Sequence, residues 1–139
     1  MPELLQRLRF ERSEAVLHVK DDLALAEEGA QAVSKLGRHS ASILVDVRKP
    51  DSVTAMVDAV VKQFGRLDIA MNNAGISKDN LLMRMSAESW DEVMTTNLKS
   101  VFNMTKQVMD GMVERNWGRV INVSSVNGQK GAFGQTNYS

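Results

Sequence analysis

The feature that most constrains the fold is a regular alternation between short apolar runs and stretches with a helical pattern. Four runs are rich in residues that favour β-strands: Ala15–Val19, Ser42–Val47, Leu67–Asn72 and Arg119–Val123. Strands that alternate with helices of roughly 10–15 residues are typical of βαβ units and a parallel sheet. Strands this apolar are expected where helices cover both faces, so we predict a doubly wound α/β fold.

Helical patterns lie between these strands. The clearest spans Val53–Phe64, where apolar side chains recur at helical spacing on one face. Pro50 suits the first turn of this helix and Gly65 suits its end. The span Ala24–Leu36 is rich in alanine and glutamate, which favour helix. A further stretch carries apolar residues at similar spacing: Val101, Met104, Val108 and Met112.

Composition excludes several classes of function. Seventeen basic residues balance seventeen acidic ones, so no overall field would attract nucleic acid or an anionic membrane. No apolar run approaches the roughly 20 residues that span a bilayer. Cysteine is absent, which excludes disulfides and thiolate metal ligands and fits a reducing cytoplasm. We therefore predict a cytoplasmic protein without a metal site.

The first 14 residues contain three arginines among apolar residues, a pattern also found in organelle transit peptides. They contain three glutamates as well, and transit peptides are poor in acidic residues. A transit peptide is therefore the minor interpretation of this segment.

Ligands of open parallel sheets bind beyond the carboxyl ends of the strands, so the residues there are the candidates for chemistry. Asp46 and Val47 end the second strand. The aspartate could accept a hydrogen bond from a ligand's amino group, or cap the helix that begins near Pro50; from the residues alone, capping is favoured. Asn72-Asn73-Ala74-Gly75 follows the third strand and permits close approach to the main chain, although a simple turn is equally expected.

Two hydroxyl residues, Ser125 and Tyr138, lie at either end of a glycine-containing loop after the fourth strand. The glycines of this loop lack the Gly-x-Gly spacing of a dinucleotide-binding turn, so we interpret them as loop residues. Tyr138 is predicted to open the next helix, and a loop of this length can bring both hydroxyls over one ligand. Without further context, ordinary polar loop positions are the simpler explanation for both.

Together these pieces resemble the short-chain dehydrogenase/reductase superfamily. The matching features are Asp46-Val47, Asn72-Asn73-Ala74-Gly75, Asn97, Ile121-Asn122-Val123-Ser124-Ser125 and Tyr138. Their order and spacing resemble the family over residues 27–139, whereas residues 1–26 are atypical. Three stretches resemble the reductases of 3-oxoacyl thioesters, and the acetoacetyl-CoA branch more than the carrier-protein branch: Asn80–Met85, Trp117–Asn122 and Ser125–Ser139.

The resemblance implies an incomplete Rossmann-like sheet of about four strands with flanking helices. It also implies an oxidoreductase that uses NADP(H) to reduce a 3-oxoacyl thioester, with acetoacetyl-CoA as the favoured substrate; the residues leave NAD(H) open. The alternatives are a 3-oxoacyl-[acyl-carrier-protein] reductase of fatty-acid synthesis and a non-catalytic, reductase-like partner subunit. Members of the family pair through the helix that corresponds to Leu98–Arg115, which implies a homotetramer.

The same resemblance assigns roles to individual residues. Tyr138 would donate a proton to the substrate carbonyl oxygen, Ser125 would hydrogen-bond that oxygen, and Asn97 would hold a water of the proton relay. Cofactor contacts are implied at the ends of the second and third strands: Asp46, Val47, Asn73, Ala74 and Gly75. The acyl side of the cleft would be lined by three further residues: Asp79, Phe133 and Gln135.

The sequence departs from the family pattern at both ends. Residues 1–30 hold no glycine-rich phosphate-binding turn, and Gly29 is the sole glycine there, so the first β-α unit is expected to be missing or replaced. The family lysine, four residues after the tyrosine, would fall at position 142, beyond Ser139. We therefore expect residues 1–139 to form a partial domain that is inactive by itself.

Overall fold

Parallel strand pairs with flanking helices make up the computed structural model, which describes residues 15–17 and 23–139. Strand β1 (Ala15–Leu17) pairs with β2 (Ser40–Ser42), and β3 (Ile69–Asn72) pairs with β4 (Arg119–Asn122). Both pairs are parallel, as the alternating pattern predicts. The predicted fold class, an incomplete Rossmann-like α/β fold of four strands, is confirmed.

The strand pairing differs from the single sheet expected from the sequence. The described strands form two two-stranded sheets, one in each of two units that divide between Val45 and Asp46. The second strand also lies earlier than the predicted Ser42–Val47, because only residues 40–42 find hydrogen-bond partners in β1. Apolar patterns locate strands but do not select their partners. Residues 1–14, where a transit peptide was the minor interpretation, lie outside the described residues, as do the last two residues of the first predicted strand.

The first unit is a small βαβ arrangement. Helix α1 (Leu23–Lys35) connects β1 to β2 and packs against both strands. Its buried positions include Ala26 and Ala30, whose small side chains allow the close approach of helix and strand. The Ser40 hydroxyl donates a hydrogen bond to the carbonyl of Ala30 and so fastens β2 to this helix.

Helix α2 (Pro50–Phe64) opens the second unit and agrees with its predicted pattern. Proline occupies its first turn, where the missing N–H costs nothing, and Gly65 ends it with a left-handed φ of 84°. Four residues of the predicted apolar face are buried: Val53, Met56, Val57 and Val60. This face packs against helix α4 (Ser100–Glu114).

A nearly continuous helix spans residues 87–114 and carries Asn97. It consists of α3 (Ala87–Val93), a π-helical segment (Met94–Lys99) and α4. Ser86 caps it by accepting a hydrogen bond from the amide of Ser89. The pKa of the Glu88 carboxyl is lowered by a backbone hydrogen bond in this first turn and by the Ser86 hydroxyl.

The buried face of this helix alternates between apolar and polar residues. It is apolar at Val93, polar within and after the π-helical segment at Thr96, Ser100 and Asn103, and apolar again at Val108 and Met112. Val101 and Met104, predicted on the apolar face with Val108 and Met112, are only half-buried.

Helix α4 packs on the β3–β4 pair and so supports the strand ends where the candidate residues lie. After β4 the chain forms a short helix, α5 (Val126–Lys130), where a loop was expected. None of the helices in the described part of the chain combines the length and the apolar character needed to cross a bilayer.

Candidate active site

The carboxyl ends of β3 and β4 lie side by side and bring two predicted segments together. Asn72 pairs with Asn122 in the strand register, and the Asn72 side-chain amide donates to the Asn122 side-chain oxygen at 2.8 Å. The ladder continues one residue further, because the amide of Val123 donates to the carbonyl of Asn72 at 2.9 Å. The turn at residues 73–75 and the hydroxyls at residues 124 and 125 therefore leave the sheet from the same edge.

Asn97 fixes the backbone that follows this turn. Its side-chain oxygen accepts from the amide of Ile76 and its side-chain nitrogen donates to the carbonyl of Ile76, both at 2.9 Å. A methyl group added at Gly75 would lie 3.6 Å from the Asn97 oxygen, an ordinary contact. The side-chain amide of Asn97, which lies in the π-helical segment, thus holds the chain that follows β3.

Replacing Asn97 with leucine is expected to lower the free energy of unfolding by about 2 kcal/mol, because both main-chain groups of Ile76 lose their partner. Urea unfolding followed by circular dichroism measures this change. The matched control is Asn73→Leu, the same substitution at an exposed asparagine of the neighbouring turn. Equal losses in the two variants would show that the Asn97 amide does not hold the turn.

Ser125 is placed to donate a hydrogen bond. It is the N-cap of α5, and its oxygen accepts from the amide of Asn127 at 3.2 Å. A serine hydroxyl carries one donor in addition to its acceptor lone pairs. The capping bond therefore leaves the O–H free to donate to a carbonyl oxygen and holds the side chain in one orientation.

The segment that carries Tyr138 returns to the same region. The carbonyl of Gln135 accepts from the amides of Tyr138 and Ser139, which places Tyr138 in a hydrogen-bonded turn. The Asn127 side chain donates to the Gln135 side-chain oxygen at 2.9 Å, which links this turn to α5. A methyl group added at Gly128 would lie 3.6 Å from the Ser124 hydroxyl and 3.9 Å from the carbonyl of Ser139. The segment with Ser124 and Ser125 and the segment with Tyr138 and Ser139 thus both approach Gly128 of α5.

Two of the three residues predicted on the acyl side contact each other. The Gln135 side-chain amide donates to the Asp79 carboxylate at 2.8 Å, and the amide of Asn80 donates to the carbonyl of Gly134 at the same distance. Phe133, the third, is 91% exposed. The structure brings Asp79 and Gln135 into one hydrogen-bonded cluster and leaves the aromatic ring at the surface beside it.

Asp46 and Val47 occupy a hydrogen-bonded turn before α2. The Asp46 carboxylate accepts from the amide and the guanidinium of Arg48, while the N-cap of α2 is Lys49 without a side-chain bond. The capping role favoured from the residues alone is therefore wrong. The carbonyl of Val47 accepts from the side chain of Asn103 at 3.0 Å.

Two buried asparagines that position these segments were not singled out from the sequence. Asn103 and Asn137 are each 3% exposed, and their amides donate to main-chain carbonyls of distant segments. Asn103 falls in an apolar helix pattern, where a single amide is a detectable signal of a buried polar contact. Asn137 lies in a loop, where no periodicity marks it.

These contacts define what the cluster can do chemically. Ser125 and the exposed turn at residues 73–75 follow the carboxyl ends of two paired strands, and the segment that carries the Tyr138 phenol is hydrogen-bonded to α5. A donor and a proton source near one point suit reduction of a carbonyl, whose oxygen gains charge and then a proton. Within the described residues no group of three or more metal-ligating side chains is present.

Comparison with known proteins gives a family. A sequence model described as short chain dehydrogenase matches residues 6–139, which include every residue of the predicted site. Similar curated proteins are the acetoacetyl-CoA reductases of Cupriavidus necator, 55% identical over 89 residues, and of Allochromatium vinosum, 48% identical over 118 residues. The 3-oxoacyl-[acyl-carrier-protein] reductase FabG of Vibrio cholerae is 47% identical over 117 residues.

These alignments cover most of the chain but only part of each relative. They include 64%, 85% and 84% of this chain, in the order given, and 36%, 48% and 48% of the three relatives. The chain therefore spans about half the length, or less, of the curated relatives that it matches.

Proposed function

The chain belongs to the short-chain dehydrogenase family, and on that premise we propose that it carries the central part of a nicotinamide-dependent reductase of 3-oxoacyl thioesters. The observation that carries this proposal is the shared edge of β3 and β4, where the turn at residues 73–75 and Ser125 leave the sheet together. The segment with Tyr138 is hydrogen-bonded to the helix that Ser125 caps. The proposed site is thus assembled from residues far apart in the sequence.

In the proposed reaction the carbonyl oxygen of the substrate lies between two hydroxyls. Ser125 donates a hydrogen bond to this oxygen and stabilises the negative charge that develops on it. Tyr138 gives the oxygen a proton as the carbonyl carbon is reduced to an alcohol. Asn97 keeps the adjoining loop in place through its two hydrogen bonds to Ile76, and its proposed role is to hold a water of the proton relay.

The residues present fit the nicotinamide end of a dinucleotide cofactor. Asn73, Ala74 and Gly75 are exposed and have short side chains, so a flat ring and a ribose can approach their main chain. The cofactor, when bound, supplies the hydride to the carbonyl carbon. Asp46 and Val47 would contact the adenine, with the Asp46 carboxylate held in place by Arg48, which donates to both of its oxygens. We propose NADP(H) rather than NAD(H) on the family resemblance alone.

The proposed substrate is acetoacetyl-CoA, and the product is the 3-hydroxyacyl thioester. Two of the similar curated proteins are named acetoacetyl-CoA reductases, at 55% identity over 89 residues and 48% over 118 residues. The competing substrate is a 3-oxoacyl group on acyl carrier protein, as the name of the Vibrio cholerae relative states. The cluster of Asp79 and Gln135, with Phe133 beside it, is proposed to face the acyl chain in either case. We propose a cytoplasmic location for the enzyme.

A chimera tests the proposed activity, because it supplies the parts of the relatives that this chain does not span. Asp46–Ser139 replaces the corresponding stretch of the Cupriavidus necator reductase, and NADPH oxidation is followed with acetoacetyl-CoA. We expect turnover by the chimera and none by the 139-residue chain alone. A folded chimera without turnover would refute the proposed site, and turnover by the chain alone would refute the need for a phosphate-binding turn and a lysine.

A second candidate function is that of a non-catalytic partner subunit. One observation favours it: large apolar side chains along one exposed face of the helix of residues 87–114, namely Leu98 at 66%, Phe102 at 63%, Met109 at 42% and Val113 at 63% exposed. Leu98, Phe102 and Met109 border a groove of about 900 Å³. Lys99 and Lys106 lie towards one end of this face and Asp110 and Glu114 towards the other, so two antiparallel copies would bring opposite charges together. The proposed homotetramer of the enzyme would use the same face.

We expect Phe102→Glu to abolish association through this face, since a charge would replace the central apolar contact. Sedimentation velocity of the chain, alone and mixed with a full-length reductase, measures the effect. The control is Val61→Glu, which puts the same charge on a 43% exposed valine of α2. A monomeric wild-type chain that binds no reductase would exclude the partner-subunit function.

A further inference from the structure

The residue before the proposed proton donor is buried far more deeply than its loop position would suggest. Asn137 is 3% exposed, whereas Thr136 before it is exposed and Tyr138 after it is only half-buried. Its side-chain nitrogen donates to the carbonyl of Lys78 at 3.2 Å and to the carbonyl of Ser89 at 3.4 Å. One amide therefore joins three segments: the tyrosine turn, the loop after β3 and helix α3.

The two acceptors of this amide are themselves held together. The Lys78 ammonium group forms an ion pair with the Glu92 carboxylate at 2.7 Å, which ties the loop after β3 to α3. Ser89 lies in the capped first turn of α3. The amide thus docks onto a support that is fixed independently of the tyrosine turn.

From these contacts we propose that Asn137 is a positioning residue, which sets the place of the Tyr138 phenol by docking its turn onto Lys78 and Ser89. This role rests on the proposed function only in so far as Tyr138 is the proton donor. The other links of the segment, from Gly134 to Asn80 and from Gln135 to Asp79, lie further from the tyrosine along the chain. Without the amide of Asn137, the segment would keep its links to α5 and to the loop after β3 through Gly134 and Gln135, but its hydrogen bond to α3 would be lost.

We attribute the positioning of Tyr138 to the two hydrogen bonds of the Asn137 side chain and not to the volume that this side chain fills. The Asn137 side-chain oxygen is buried and has no hydrogen-bond partner among the described residues. Leucine has a similar shape and loses both donors, so Asn137→Leu separates packing from hydrogen bonding. Asn137→Asp places acceptor oxygens against two carbonyl oxygens, and only its protonated form can donate one bond.

Tyr138 is the sole tyrosine of the chain, so its environment can be observed directly. In the full chain labelled with fluorotyrosine, fluorine NMR should show one resonance for the wild type. We expect it to shift toward the urea-unfolded position in Asn137→Leu, and further in Asn137→Asp at neutral pH. Acidification should return the Asn137→Asp resonance toward that of wild type, because burial against carbonyl oxygens favours the protonated acid. Gln63→Leu, at an exposed amide of α2, should leave the resonance unchanged.

Fluorotryptophan at Trp117 reports whether each variant is folded. An unshifted tyrosine resonance in folded Asn137 variants would overturn the proposal. If both variants unfold, hydrogen exchange of the side-chain amides in the wild-type chain decides. Exchange at Asn137 as fast as at exposed Asn116 overturns the proposal. Strong protection of the Asn137 amide, together with a tyrosine resonance distinct from that of the unfolded chain, supports it. These readouts require no turnover, so they stand apart from a failure of the proposed reductase activity. In an active chimera, Asn137→Leu should lower kcat with little change in KM.

Discussion

Tyr138→Phe in the chimera is expected to lower kcat for acetoacetyl-CoA by about 10²–10⁴-fold, the usual contribution of a positioned proton donor. Phenylalanine keeps the ring and removes the phenol that is proposed to deliver the proton. The half-buried ring occupies a turn that is held by main-chain bonds from Tyr138 and Ser139 to Gln135, and the substitution leaves those bonds intact. Steady-state NADPH oxidation at saturating substrate measures the loss.

Ser125→Ala is the companion substitution, with an expected loss of about 10²–10³-fold because one donor to the developing charge is removed. Serine 125 also caps α5, so part of its effect could come from the helix. Ser125→Asp provides the control, since aspartate caps a helix N-terminus as well as serine does but repels negative charge on the substrate oxygen. A kcat for Tyr138→Phe within a few-fold of the parent chimera would contradict the assigned role.

The parts of the fold that the sequence predicted correctly depend on neighbouring residues. The start of α2 at Pro50 and its end at Gly65 follow from the backbone preferences of proline and glycine, which act within one turn. Strands β3 and β4 were located within two residues because their apolar runs are bounded by turn-forming residues. The placement of the candidate residues after these strands followed from the parallel arrangement.

The parts that could not be predicted depend on residues far apart in the chain. Asn97 was assigned through the family resemblance, but its anchor, Ile76, lies 21 positions away. The two acceptors of Asn137 lie 59 and 48 positions away. No periodicity encodes such pairs.

Gly118→Ala is expected to lower the free energy of unfolding by about 3 kcal/mol, through overpacking of the second unit. Gly118 lies directly before β4, where the chain turns back from the end of α4. A methyl group added there would overlap the Cγ and Sδ atoms of Met112 and come within 2.7 Å of its Cβ. Met112 is 6% exposed, and the contact with Cβ cannot be relieved by rotating the side chain. Either α4 or β4 must therefore move.

Gly118 lies at the amino end of β4, whereas the candidate site lies at its carboxyl end, so the expected effect is on stability. Chemical unfolding of Gly118→Ala measures the loss of stability. Gly128→Ala is the control, because a methyl group added at Gly128 meets its nearest atoms at 3.6 and 3.9 Å and alanine favours the short helix α5. Combining Gly118→Ala with Met112→Ala should cost less than the sum of the two single changes, since the overlapping Cγ and Sδ atoms are removed. Strict additivity would show that the methyl group at position 118 does not act through Met112, and the close approach of α4 to β4 would then need another explanation.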